Sequence, residues 1–230
     1  MTELVVVADA EAAARRVADQ LARRLADARG RDRPFHVALA GGATPRRTYE
    51  LLGEMEGSWD HAHLWLGDER CVPREHAESN ARMVDESLYV HARAQPPQLH
   101  PVDGSAVPED AAWFYARELA EQMPDGVFDL ILLGLGEDGH TASLFPHHHV
   151  LEAVRVPCLA VRDAPKPPAQ RVTLTLPVLR QAQHTILLST GEIKREPLRR
   201  TLARADPATP ASLLGDDLDQ VVCDVAADPR

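Results

Sequence analysis

No apolar run in the sequence reaches the ~20 residues that a bilayer-spanning helix needs. The N-terminal Met1-Thr-Glu-Leu-Val-Val-Val has no basic region ahead of its short apolar run, so a secretory leader is not expected there. Basic charge is in deficit: 25 Lys and Arg face 35 Asp and Glu, a formal net charge of −10. That argues against nucleic acid and anionic membrane as partners, although a local cation cluster can still hold one phosphate. Cysteine is scarce and odd in number. Cys71, Cys158 and Cys223 lie far apart without metal-ligand spacing, which predicts reduced thiols and a cytoplasmic setting. No serine sits in a Gly-x-Ser-x-Gly elbow and no cysteine stands near an evident base, so a covalent nucleophile is not expected. No repeat, biased segment or strong boundary divides the chain, and residues 1–230 read as one domain.

Aromatics make up only 4% of the chain, but 44% is hydrophobic, enough for a sizeable core. Short apolar runs alternate with helical spacing. Leu4–Ala8 reads as a strand. Asp9 follows as an N-cap, and residues 10–28 place Ala14, Val17, Ala18, Leu21 and Leu25 on one face, with Gly30 ending the helix. Phe35–Ala40, His63–Gly67, residues 130–133, Cys158–Arg162, Arg171–Thr175, His184–Ser189 and Val221–Val225 are further strands. Helices are expected over Ala81–Val90 with Ser79 at its start, over Glu109–Met123, from Pro177, and from the break at Thr190–Lys194 to Ala203, with Lys194 one turn into it. Residues 95–107 read as a connecting loop, and Trp113 and Leu119 read as core. Strands alternating with helices predict an α/β fold: a mostly parallel sheet with helices on both faces.

Four strand ends run into polar or glycine-rich loops, where open α/β sheets bind ligands. The first is Ala40-Gly-Gly-Ala-Thr-Pro45, with Thr44 as N-cap and Pro45 at the first helical position. The amides of Gly41 and Gly42 before a helix suit a phosphate. The second, Gly67-Asp-Glu-Arg70, offers two carboxylates that could orient a hydroxyl or water and an arginine that could grip an anion. The third, Gly134-Leu-Gly-Glu-Asp-Gly-His140, puts Asp138 and His140 two residues apart among three glycines. It is not read as a dinucleotide fingerprint. The fourth, Thr190-Gly-Glu-Ile-Lys194, can set an ammonium over a phosphate. Together they suit a small phosphorylated substrate and acid–base chemistry by His140, whose side chain has a reference pKa of about 6.5. His147, His148 and His149 read as an exposed loop, since three consecutive histidines do not converge on one ion without contortion.

The motifs Gly-Gly-Ala-Thr-Pro, Gly-Asp-Glu-Arg-x-Val-Pro-x-x-His-x-x-Ser-Asn, Leu-Gly-Leu-Gly-x-Asp-Gly-His-Thr-Ala-Ser-Leu-Phe-Pro and Arg-Val-Thr-Leu-Thr-Leu-Pro-Val-Leu follow in the order of the 6-phosphogluconolactonase family, which the chain resembles over nearly its whole length. The resemblance implies the fold shared with glucosamine-6-phosphate deaminase and ribose-5-phosphate isomerase, an α/β sheet of Rossmann-like type with helices on both faces. It implies hydrolysis of 6-phospho-D-glucono-1,5-lactone without metal or organic cofactor. A monomer or weak homo-oligomer is expected, although the sequence does not show which. The resemblance also implies His140 as general base with Asp138 orienting the site, and phosphate or substrate binding by Gly41, Gly42, Thr44, Asp68, Arg70 and Lys194. Arg70 could instead face the oxyanion, and Arg171 could border the pocket or buttress the sheet. The rival reading is a glucosamine-6-phosphate deaminase. That family resembles this chain through Asp-Gly-His but carries a glutamate where Phe145 stands, and Met-Asp-Glu-Tyr where this chain has Gly67-Asp-Glu-Arg70. A second rival is a non-catalytic sugar-phosphate-binding regulator, which the presence of His140 disfavours.

Overall fold

Six five-residue strands supply most of the centre of the molecule: β1 (Glu3–Val7), β2 (Phe35–Leu39), β3 (Ala62–Leu66), β6 (Leu130–Gly134), β9 (Thr185–Ser189) and β10 (Gln220–Asp224). The structure is a computed structural model that describes residues 1–55, 59, 61–92 and 96–230. With β5 (Gln98–His100), the strands form one seven-stranded parallel sheet in the order β1-β10-β9-β6-β2-β3-β5. The expected connecting loop therefore contains a strand. Its three residues are too few to show periodicity, and residue 95 at its start lies outside the described residues.

Period-two alternation sorts the side chains of each strand between two cores. Val37, Leu39, Leu64, Leu66, Leu130, Leu132, Ile186 and Leu188 face one. Ala38, Trp65, Ile131, Leu133 and Leu187 face the other. The first core is covered by α1 (Ala10–Ala28), α2 (Ala43–Glu54) and α3 (Asn80–Val84), which continues as a wider π-type turn over Asp85–Tyr89. Asp9 caps α1 as its sequence predicts, accepting from the Ala12 amide at 2.8 Å. Ser79 likewise caps α3 through the Arg82 amide. The second core lies beneath α4 (Pro108–Gln122), α5 (Leu176–Arg180) and α6 (Arg195–Thr201).

Two expectations fail here for local reasons. Trp113 is 58% exposed, not core. The buried stripe of α4 runs through Ala111, Ala112, Tyr115 and Leu119. Trp113 stands two residues from Tyr115, about 200° around the helix, so it points outward under Arg117. Thr44 is not an N-cap. Gly42 takes that place with φ 105°, which leaves Thr44 and Pro45 at the second and third helical positions. Proline is tolerated there because its missing N–H has no intrahelical acceptor in the first turn.

A second sheet, absent from the sequence reading, joins β4 (Asp68–Arg70), β8 (Arg171–Leu174) and β7 (Cys158–Val161) as an antiparallel trio. It carries Asp68, Arg70 and Arg171 to the rim of the main sheet. The chain order diverges between β2 and β6. From β2 it moves outward through β3 to β5, and from β6 it moves through β9 to β10. At such a switch point the loops leave in opposite directions and open a crevice at the carboxyl ends of the strands.

Candidate active site

A cleft of about 460 Å³ opens at that switch point, a size suited to one small ligand. Gly41, Gly42, Thr44, Asp68, Arg70, His140, Arg171 and Lys194 all line it. Asp138 stands behind His140, outside the lining, and accepts from its Nδ1 at 2.5 Å.

The loop that presents this pair is closed upon itself. The Gly136 amide donates to the His140 carbonyl at 2.8 Å, and the Thr141 hydroxyl donates to the Gly134 carbonyl at 2.9 Å. Gly139 adopts φ 87°, open to glycine at little cost. Gly136 is required by proximity: a Cβ there would lie 2.0 Å from His140 Nδ1 and 2.6 Å from Asp138 Oδ1. The spacing Gly134-x-Gly136-x-x-Gly139 matches a dinucleotide fingerprint, but turns follow it where that motif opens a helix.

Electrostatics fix the state of the pair. Partial burial would raise the Asp138 carboxyl, but the hydrogen bond and charge of His140, with Lys166 beyond, outweigh it and hold the group well below the usual carboxylate range. An ionised carboxylate only accepts, so Nδ1 of His140 carries the proton and Nε2 is left as the basic nitrogen. The imidazole packs at 4.8 Å from the buried ring of Phe145, over which the Arg171 guanidinium lies at 5.5 Å.

Around this base the cleft is cationic. Arg70 donates to the Glu78 carbonyl at 2.5 Å, while its buried Nε has no hydrogen-bond partner among the described residues. Burial pushes the Lys194 ammonium below its ordinary value, with Glu137 and Asp138 opposing and Lys166 reinforcing. Lys194 occupies a 3-10 turn ahead of α6, not the first turn of an α-helix. The Thr44 hydroxyl lies 3.4 Å from that of Thr190, across the gap between α2 and the end of β9.

The two carboxylates after β3 part company. Asp68 lines the cleft and accepts from the Ser143 hydroxyl at 2.6 Å, with Arg171 at 3.7 Å. Glu69 is 2% exposed and points away. It accepts from the amides of Arg70, Asn80 and Ala81 and so anchors the start of α3. Of the two places expected for Arg171, the structure gives the border of the cleft, and its side-chain hydrogen bonds to carbonyls go to a loop and not to the sheet. It borders the cleft and ties down the proline loop through the carbonyls of Lys166, Pro167 and Pro168.

Sequence reasoning missed Ser143, Lys166 and Asn80. The side chain of Asn80 donates to the Asp68 carbonyl and would collide with any Cβ at Gly41. Of the histidine run, His148 and His149 come within 4.8 Å of Asp163 by their donor atoms. The His148 ring is already engaged, by the Val150 amide at Nδ1 and by Asp163 at Nε2.

The family described as glucosamine-6-phosphate isomerases/6-phosphogluconolactonase matches residues 8–223. A 6-phosphogluconolactonase of Rattus norvegicus is 39% identical over 206 residues, covering 86% of this chain and 79% of that protein. One of Streptomyces coelicolor is 34% identical over 88% of this chain and 84% of its own. A human GDH/6PGL endoplasmic bifunctional protein is 37% identical, and there the match spans only 21% of the longer chain. Among solved structures, 6-phosphogluconolactonase from Thermotoga maritima superposes with a TM-score of 0.86 at 28% identity, over 97% of this chain and all of that one. A monomeric glucosamine-6-phosphate deaminase reaches 0.82 at 20% identity over 98% of each chain, a likeness of fold alone. The chain belongs to the glucosamine-6-phosphate isomerase/6-phosphogluconolactonase family.

Proposed function

We propose that this protein hydrolyses 6-phospho-D-glucono-1,5-lactone to 6-phospho-D-gluconate, the lactonase step of the oxidative pentose phosphate pathway. The observation that carries the reading is the Asp138–His140 pair, its free Nε2 set in a cleft that the Gly41–Gly42 turn, Arg70, Arg171 and Lys194 also line. The Gly41–Gly42 turn at the α2 N-terminus, with Arg70 and Lys194, binds the phosphate. His140 Nε2 takes a proton from water while the water oxygen attacks the lactone carbonyl. Charge collects on the carbonyl oxygen, which the cationic rim stabilises. Collapse breaks the bond from C1 to the ring oxygen, and the imidazolium returns its proton to that oxygen as the sugar hydroxyl leaves. Asp138 holds the tautomer and stabilises the imidazolium, as orienting carboxylates do elsewhere. The three free thiols support a reducing, cytoplasmic setting.

The deaminase reading is disfavoured by Phe145: a buried phenyl beneath the imidazole occupies the position of that family's glutamate. The deciding experiment is turnover of freshly generated 6-phosphogluconolactone, with the spontaneous opening subtracted. Wild-type enzyme should turn over fast, and His140→Ala should lose about 10³-fold or more, in the range for removing a general base. Absence of wild-type turnover, with ammonia released from glucosamine 6-phosphate, would overturn the reading. Activity surviving in His140→Ala would keep the function and reject the base.

A further inference from the structure

We propose that Lys166 is a positioning residue for the hydrolysis: its ammonium, held beside Asp138 by the Arg171-clamped proline loop, limits how strongly the Asp138–His140 pair retains a proton. The inference rests on the lactonase reading and adds to it the group that sets the working pH range.

Lys166 Nζ lies 3.8 Å from Asp138 Oδ1, the same oxygen that accepts from His140 Nδ1. A lysine on a surface loop would ordinarily wander, but this loop is fastened. The Ala164 amide donates to the Ala169 carbonyl at 3.0 Å and closes the loop at its base. Arg171, buried beneath, donates to the Pro168 carbonyl at 3.0 Å, the Lys166 carbonyl at 3.0 Å and the Pro167 carbonyl at 3.3 Å. Its remaining nitrogen turns to Ser143 and Asp68. A buried guanidinium that spends most of its donors on one loop fixes where that loop carries its cation.

A carboxylate left alone beside an imidazole strengthens the imidazole's hold on a proton, which at neutral pH would leave less of the free base. A second cation on the same carboxylate oxygen offsets this. The other charged groups around the pair are Lys194 from the turn before α6, Glu137 from the loop itself, and Arg70, Asp68 and Arg171 from the small sheet. Arg200 of α6 reaches the Glu137 carbonyl at 3.5 Å and pairs with Glu196 at 3.9 Å. Of these groups, the side chain in an ion pair with Asp138, apart from His140, is that of Lys166.

The test is kcat/KM for 6-phosphogluconolactone against pH, for wild type, Lys166→Met and Lys166→Arg, with inhibition by the product 6-phosphogluconate measured beside it. Lys166 is 44% exposed, so both variants should fold, which their melting curves check. In Lys166→Met the acid limb should move to higher pH by about 0.5 unit, as suits a half-exposed cation. Lys166→Arg should restore it, and the product inhibition constant should stay within about twofold of wild type. An acid limb unmoved in Lys166→Met rejects the proposal. So does a loss seen chiefly as weaker product inhibition, because Lys166 would then be a ligand contact. Loss of turnover in the wild type would instead sink the lactonase reading, and this proposal with it.

Discussion

At the scale of the residue, the site turns on what one absent methyl group permits. The His140 ring and the Asp138 carboxylate occupy the space a side chain at Gly136 would fill. Gly136→Ala should therefore lower turnover by about 10²-fold, the cost of displacing a catalytic group by roughly an ångström, while circular dichroism remains that of a folded chain. Wild-type turnover in that variant would show that the close approach does not matter. The pairing of Asp138 with His140 was legible in the sequence because the two stand two apart in one loop. The reason for the glycines was only half legible. Flexibility could be read from the letters, but which ring would lie against Gly136 depends on how the loop closes. Ser143 and Lys166 were not legible, because their partners lie 75 and 28 residues away and no periodicity marks such pairs.

At the scale of the element, Glu69 links the small sheet to a helix. It leaves β4 and satisfies two amides at the start of α3, together with its neighbour's. Burial pushes its carboxyl up and the three amide bonds pull it down, with burial prevailing. Glu69→Ala leaves those donors buried without a partner and should cost about 2–3 kcal/mol, the range for hydrogen bonds to a charged group, read as a lower urea midpoint. Because Asn80 at the start of α3 packs against Gly41, KM should rise in the same variant. An unchanged KM would mean that the helix start does not position the glycine turn. The long helices α1 and α4 and the five-residue strands were legible to within a residue or so, since their periodicity extends over enough positions. The three-residue strands β4 and β5 were not, because a run that short carries no period and forms only through its neighbours.

At the scale of the whole molecule, both faces of the sheet are sealed, so the polar groups inside are committed. His36 is buried and accepts from the Trp65 indole at 3.0 Å, which requires the neutral ring. Burial, reinforced by His63, brings its pKa down to about 4, with Asp129 opposing. His63 and His184 are lowered as well, by burial first. The unfolded chain therefore binds these protons near pH 6.5 while the folded chain refuses them until lower pH. Their contribution is present above the ordinary histidine range and is lost as pH falls, for His36 as it approaches about 4. His36 alone accounts for about 3 kcal/mol across that window at 1.36 kcal/mol per pKa unit. Urea midpoints at several pH values should show the decline, and His36→Gln, which keeps an acceptor for Trp65, should flatten it. Parallel profiles for the two proteins would exclude His36 as the cause.

The sheet order has one more consequence, for synthesis. Among the described residues β1 pairs with β10 alone, and their registers join residues 3–7 to residues 220–224. β1 therefore leaves the ribosome long before the strand it pairs with. At typical translation rates that interval is roughly 10–45 s, during which the Val5–Val7 segment is an open edge. The strands β2, β3, β6 and β9 can assemble in the meantime, and the cleft lies among them. The nascent chain can thus form the walls of the cleft before β1 has its partner.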